Sequence, residues 1–315
     1  MGSDNGRPGT ADYNPALEFC LRTQAEGGSV RSPATFRGDP AAQGRRECVI
    51  LIHGFNNSDG ASAEAFMFFR NAQTGYYVPG AHDAFNALFA DTFWPGDAKW
   101  GWLDAVDFLV YPHAVHAAVR TADELATLLS RMPNLQRVSF VTHSLGARVA
   151  FETIALLRQR TSVHVDRIVL MAAAIPSEML EAGGQFSGLM ADLSREGSQI
   201  LVLYSHHDNV LFYTFPPGQA AAGRSERSDR ALGWVGPTVA MPGFSRTLYG
   251  AQMSGGHGDY WGDPKSAGAR DATRAAGQFL QLGSAVRDVG TVRNISSPSG
   301  EQSLRALGVI RKVGE

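Results

Sequence analysis

RVSFVTHSLGARVA, residues 137–150, joins two different patterns at a single serine. Arg137 to Thr142 is a short apolar run of the kind that forms a buried strand, and Leu145 to Arg158 has the composition and periodicity of a helix. Ser144 therefore falls on a strand-to-helix junction. A turn that sharp forces the serine backbone into a strained conformation and lifts its hydroxyl above the sheet edge. It also brings strand and helix close together, so small residues are needed two positions to either side. Gly146 meets this need, whereas Thr142 stands where the usual Gly-x-Ser-x-Gly pattern has glycine. The helix start adds backbone N–H groups and a positive dipole end, which makes the Leu145 N–H a donor for a developing oxyanion. A plain serine N-cap is the structural alternative.

Some 90 residues upstream, Cys48 to Ile52 reads as another buried strand and ends in His53-Gly54-Phe55. In a parallel sheet this loop lies beside the serine turn. Its Phe55 N–H is the second candidate oxyanion donor, and Gly54 allows close backbone approach. Between these segments, Ala61 to Asn71 predicts a helix, Val106 to Tyr111 a strand stopped by Pro112, and Val115 to Leu129 a helix. Beyond residue 158, Arg167 to Ala173 and Ile200 to Ser205 predict strands, Arg246 to Tyr249 a last strand, and Arg274 to Leu282 a last helix. The alternation predicts an α/β domain over residues 47–283, with a mostly parallel sheet and helices on both faces. Residues 1–46 read as a loosely structured lead-in with one short helix near Ala16 to Thr23, and 284–315 as a mobile tail. Residues 211–245 interrupt the rhythm, either as a lid or specificity loop or as an irregular connector.

ILIHGFNN, then Trp94-Pro95, then VTHSLGARVA, in that order, resemble the α/β-hydrolase superfamily and within it a bacterial group of esterase/lipase-like serine hydrolases. The resemblance runs from about Glu47 to about Gln281. It implies the α/β-hydrolase fold, Ser144 as nucleophile, and an acid and a histidine following it in the chain. His206-His207-Asp208 follows the strand at 200–205, which puts Asp208 where the resemblance implies the acid, with Glu178 as the rival. Gly255-Gly256-His257-Gly258 follows the last strand and offers His257 as general base and acid. His53, Gly54, His143 and Phe212 are candidate pocket residues. Phe66, Phe68, Phe69, Tyr76 and Tyr77 read mainly as core, with an acyl-pocket wall as the other possibility.

Composition narrows the classes further. A formal net charge of −2 gives no electrostatic reason to expect nucleic acid binding. No apolar run approaches the ~18 residues of a membrane span. The polar start MGSDNGRPGT has no signal-type apolar region, and Gly6 stands where a myristoylation motif needs Ser or Thr, so a cytoplasmic location is the default expectation. Two cysteines, Cys20 and Cys48, are one disulfide or two unrelated thiols. His206, His207 and Asp208 are consecutive, which is poor geometry for one ion, so no metal is expected, and acyl transfer through a serine needs no organic cofactor. The expectation is cleavage of a small-molecule ester or acyl substrate through an acyl-enzyme. Amide, thioester or lactone cleavage on the same residues, and a silent hydrolase fold that binds a ligand, are the alternatives.

Overall fold

The computed structural model describes residues 15–55, 57–77, 87–96, 107–216, 230–237, 247–282 and 311–312, with backbone alone at residues 77, 107–112 and 311–312. Among the described residues nine strands form one sheet in the order β2-β1-β4-β3-β5-β6-β7-β8-β9. They are β1 (Leu17–Arg22), β2 (Val30–Gly38), β3 (Glu47–Ile52), β4 (Phe89–Phe93), β5 (Arg137–His143), β6 (His164–Met171), β7 (Gln199–Tyr204), β8 (Leu248–Gln252) and the two-residue β9 (Arg311–Lys312). Only the outermost pairs, β1–β2 and β8–β9, are antiparallel; the interior of the sheet is parallel throughout. Buried on both faces, β3, β5, β6 and β7 carry the near-continuous Ile, Leu and Val runs that parallel strands require.

The main helices are α1 (Asp59–Tyr77), α2 (Asp107–Ser130), α3 (Gly146–Arg160), α4 (Ser187–Arg195), α5 (Asn209–Tyr213), α6 (Leu232–Val235) and α7 (Ala267–Phe279). α2 and α3 pack on each other and on β1, β2, β3 and β5. α1 pairs with α7 and lies against β4, while α7 reaches β6 and β7, so helices cover both faces of the sheet. The α1–α7 contact is tied by Gln73 Nε2 donating to the Thr273 carbonyl at 2.7 Å and by Tyr76 Oη donating to that of Arg270 at 3.0 Å. Phe66 and Phe69 of α1 are fully buried, so these two aromatics are core. None of the described helices is long and apolar enough to cross a membrane.

Two expectations are corrected. Residues 17–38 are not a loose lead-in with a helix: β1 and β2 are strands of the sheet, and every residue of LEFCLR is buried because β1 sits between β2 and β4. Of the stretch at 106–111, the described residues 107–111 are not a strand but the start of α2. An apolar run of that length does not distinguish a buried strand from a helix start by periodicity. The strand between α1 and α2 is β4, whose apolar pattern Asp91 breaks. Asp91 is fully buried, and its Oδ2 accepts from Arg70 Nη1 of α1 at 2.8 Å. From the tail, Arg311–Lys312 pairs with Tyr249 and Gly250 of β8. Most of the 211–245 segment, residues 217–229 and 238–245, lies outside the described residues.

Candidate active site

The register of the sheet brings the loops together. Ile52 of β3 stands opposite Thr142 of β5, and His143 opposite Met171 of β6, so these strands end level. The segments after β3, β4, β5, β7 and β8 therefore gather at the carboxyl edge of the sheet, where open α/β sheets form their binding crevices. Ser144 continues the ladder by donating its N–H to the Met171 carbonyl at 2.9 Å. Its own carbonyl accepts from Ala147 and Ala174 at 3.1 and 3.0 Å. Between these ties its backbone is held at φ 52°, a region that costs a non-glycine residue free energy. The closeness of strand and helix is what makes Gly146 necessary: a Cβ there would lie 2.6 Å from the His53 carbonyl oxygen and 2.9 Å from that of Ile52. Thr142 is tolerated because it is wholly buried with its hydroxyl donated to the Val169 carbonyl at 3.4 Å.

Ser144, His257 and Asp208 stand in one hydrogen-bonded line. His257 Nε2 is 3.1 Å from Ser144 Oγ, and His257 Nδ1 is 2.8 Å from Asp208 Oδ2. A carboxylate only accepts, so in the neutral imidazole Nδ1 carries the proton and Nε2 turns its lone pair to the serine hydroxyl. Asp208 is wholly buried directly after β7, and its second oxygen, Oδ1, accepts from the Leu211 N–H at 2.9 Å, capping α5. Glu178, the rival acid, lies in the 3₁₀ turn Ser177–Leu180, while the imidazole turns to Asp208. This arrangement is able to remove a proton from a serine hydroxyl, hold the resulting imidazolium, and return the proton to a leaving group.

Of the two candidate oxyanion donors, Leu145 is covalently next to Ser144, and Phe55 follows Gly54, which packs against Ser144. Leu145 directly precedes α3, at the end of the helix whose first amides have no intrahelical acceptors. Phe55 is half-buried, next to Gly54. Gly54 touches the serine so closely that its Cα–H face leaves no room for a side chain.

His53 and His143, expected to line a pocket, are both buried and hydrogen-bonded to neighbouring loops. His53 is fully buried. Its Nδ1 bonds the Gly54 carbonyl at 2.8 Å, its Nε2 accepts from the Trp94 N–H at 3.2 Å, and its own carbonyl accepts from Trp94 Nε1 at 2.9 Å. It braces the loop after β3 against the loop after β4, with the two rings stacked at 5.6 Å. Burial lowers its pKa to about 3, which keeps it neutral. His143 is also buried, and burial, with the nearby His257, lowers its pKa to about 3 as well. Phe212 is 43% exposed on α5, and its ring meets Tyr213 at 4.6 Å and Trp234 at 4.9 Å rather than the serine or its base.

The sequence reading overlooked Asp259. Its Oδ2 accepts from the Gly256 N–H at 2.8 Å and its Oδ1 from Ser266 Oγ at 2.7 Å, tying the His257 loop to the start of α7. An aspartate in a glycine-rich stretch is turn chemistry, and that signal was available. His113 and His116 are exposed on α2, and His206 and His207 are exposed before Asp208. Among the described residues no group of three or more His, Cys, Asp or Glu side chains is placed to hold a metal ion.

The family model that matches residues 35–214, more than half of the chain, is described as alpha/beta hydrolase of unknown function (DUF900). The chain belongs to the DUF900 alpha/beta hydrolases. Comparison with curated proteins finds no match. Solved structures similar to this DUF900 member include one described as a cell surface hydrolase from Lactobacillus plantarum WCFS1, with 11% identity, a TM-score of 0.42, and 85% of this chain and 99% of that chain covered. Another is carboxylesterase CesB (YbfK) from Bacillus subtilis, with 13% identity, a TM-score of 0.35, and 86% of this chain and 94% of that chain covered.

Proposed function

We propose that this DUF900 hydrolase is a serine hydrolase that cleaves carboxylic esters of small molecules through an acyl-enzyme on Ser144. The observation that supports this best is the unbroken line from Ser144 Oγ through His257 to the wholly buried Asp208, with the serine held at φ 52° above the sheet edge. His257 takes the hydroxyl proton as Ser144 Oγ attacks the ester carbonyl. The N–H groups of Leu145 and Phe55 receive the oxyanion. Collapse of the tetrahedral intermediate expels the alcohol, which collects the proton from His257. Water, deprotonated by the same imidazole, then releases the acid. Asp208 keeps the imidazole in the required tautomer and faces the imidazolium when it forms.

The test is intact mass after treatment with a fluorophosphonate probe, on wild type and on Ser144→Ala. One adduct on wild type and none on the variant is expected. An unlabelled wild type overturns the reading. A panel of ester, thioester, amide and lactone substrates then fixes the bond class, with Ser144→Ala expected to lose on the order of 10⁴- to 10⁶-fold in turnover.

A further inference from the structure

His143 lies outside the proton path, yet its ring is built into the site from every side. Nε2 is 2.7 Å from the backbone carbonyl oxygen of His257. A carbonyl only accepts, so Nε2 carries the proton. Nδ1 is buried with no hydrogen-bond partner among the described residues, and it faces Gly54, where a Cβ would lie 2.8 Å away. The ring centroids of His257, Tyr260 and Trp261 stand at 4.8, 5.9 and 6.2 Å. The ring is thus packed in one orientation with one donor aimed at one acceptor.

We propose that His143 is a positioning residue whose Nε2–H, donated to the His257 carbonyl, sets the height of the base over the Ser144 hydroxyl. This rests on the acyl-enzyme reading above. The base sits in a loop with glycines at 255, 256 and 258, and glycine backbones are costly to hold in one conformation. Asp208 holds the imidazole at Nδ1 and Asp259 ties the loop through the Gly256 N–H, but neither meets the backbone carbonyl of His257. His143 fixes it there, and His143 is covalently next to Ser144. Nucleophile and base are therefore placed from the same two residues at the end of β5. The neutrality of His143 matters as well: a cation there would oppose the imidazolium that His257 must become.

The test uses the whole chain as wild type, Ser144→Ala, His143→Gln, His143→Asn and His143→Phe. The readouts are the fluorophosphonate labelling rate and the pH profile of kcat/KM on a p-nitrophenyl ester, with urea midpoints reporting folding. Gln extends its amide N–H to the place of Nε2 and is expected to remain within about fivefold of wild type, whereas Asn and Phe, with no donor at that place, are expected to lose about 10²-fold. In these two the acid limb of the profile moves to lower pH, because the imidazolium meets Asp208 less well. Asn and Phe variants that fold and keep the wild-type rate and acid limb overturn the proposal, as does a folded Gln variant that falls as far as Phe. If Phe does not fold, Asn carries the test. An unlabelled wild type, or a Ser144→Ala variant that still turns over, instead brings down the reading on which the proposal rests.

Discussion

Gly54 and Ser144 are packed so closely that a Cβ on Gly54 would lie 2.8 Å from the Ser144 Cβ. The same atom would lie 2.8 Å from His143 Nδ1. Ser144 is pinned through its backbone N–H and carbonyl, and His143 is confined by its neighbours, so neither gives way cheaply. Gly54→Ala is therefore expected to displace the serine or the loop after β3. The expected cost is about 1–3 kcal/mol of stability by overpacking and on the order of 10²-fold in rate by misplacement of the reacting groups. Urea denaturation and fluorophosphonate labelling measure the two effects separately. A variant with unchanged labelling contradicts this account of the contact.

Asp208 serves the imidazole with one oxygen and α5 with the other. Asp208→Asn can keep the cap through its amide oxygen, but it no longer holds His257 in the tautomer that leaves Nε2 free. The expected loss is on the order of 10⁴-fold in kcat with little change in stability. Asp208→Ala also loses the cap, and its urea midpoint is expected to fall by the equivalent of about 1 kcal/mol more. An Asn variant that turns over at the wild-type rate would show that the carboxylate is not needed.

His53 and His143 make stability depend on pH in a defined direction. Burial lowers both from 6.5 to about 3 in the folded chain. Above about pH 6.5 neither state binds these protons, and the two residues contribute no pH dependence. Between that point and about pH 3 the unfolded chain binds up to two protons that the folded chain excludes. Stability then falls as pH falls, by up to about 1.4 kcal/mol per pH unit for each histidine. Urea midpoints between about pH 7 and 5, above most carboxylate titration, read this slope. His143→Gln is expected to remove one proton's share of it. A flat profile in that window contradicts the buried, neutral assignment.

Cys20 and Cys48 are both free and buried, and burial pushes each thiol up to about 11. At about pH 8 neither presents a thiolate to solvent. Iodoacetamide is expected to add nothing to the native chain and to alkylate both residues in guanidinium, with the intact mass read in each case. Rapid alkylation of the native chain contradicts the packing of β1 and β3.

Sequence alone was enough for the parallel middle of the sheet and for singling out the three side chains that stand in one hydrogen-bonded line. β3, β5, β6 and β7 are buried on both faces, so their apolar runs are visible without knowing any partner. Ser144, Asp208 and His257 stand in flanking contexts, a strand-to-helix junction and two post-strand loops, that are local properties of the chain. Tertiary structure alone decided what depends on a distant partner. β1 is a strand because β2 and β4 flank it. β4 tolerates Asp91 because Arg70 reaches it from α1. His53 and His143 are held in one orientation because the Trp94 N–H and the His257 carbonyl lie against their ring nitrogens. A side chain's type and neighbours are written in the sequence, but its hydrogen-bond partner 41 or 114 residues away exists only once the strands end in register.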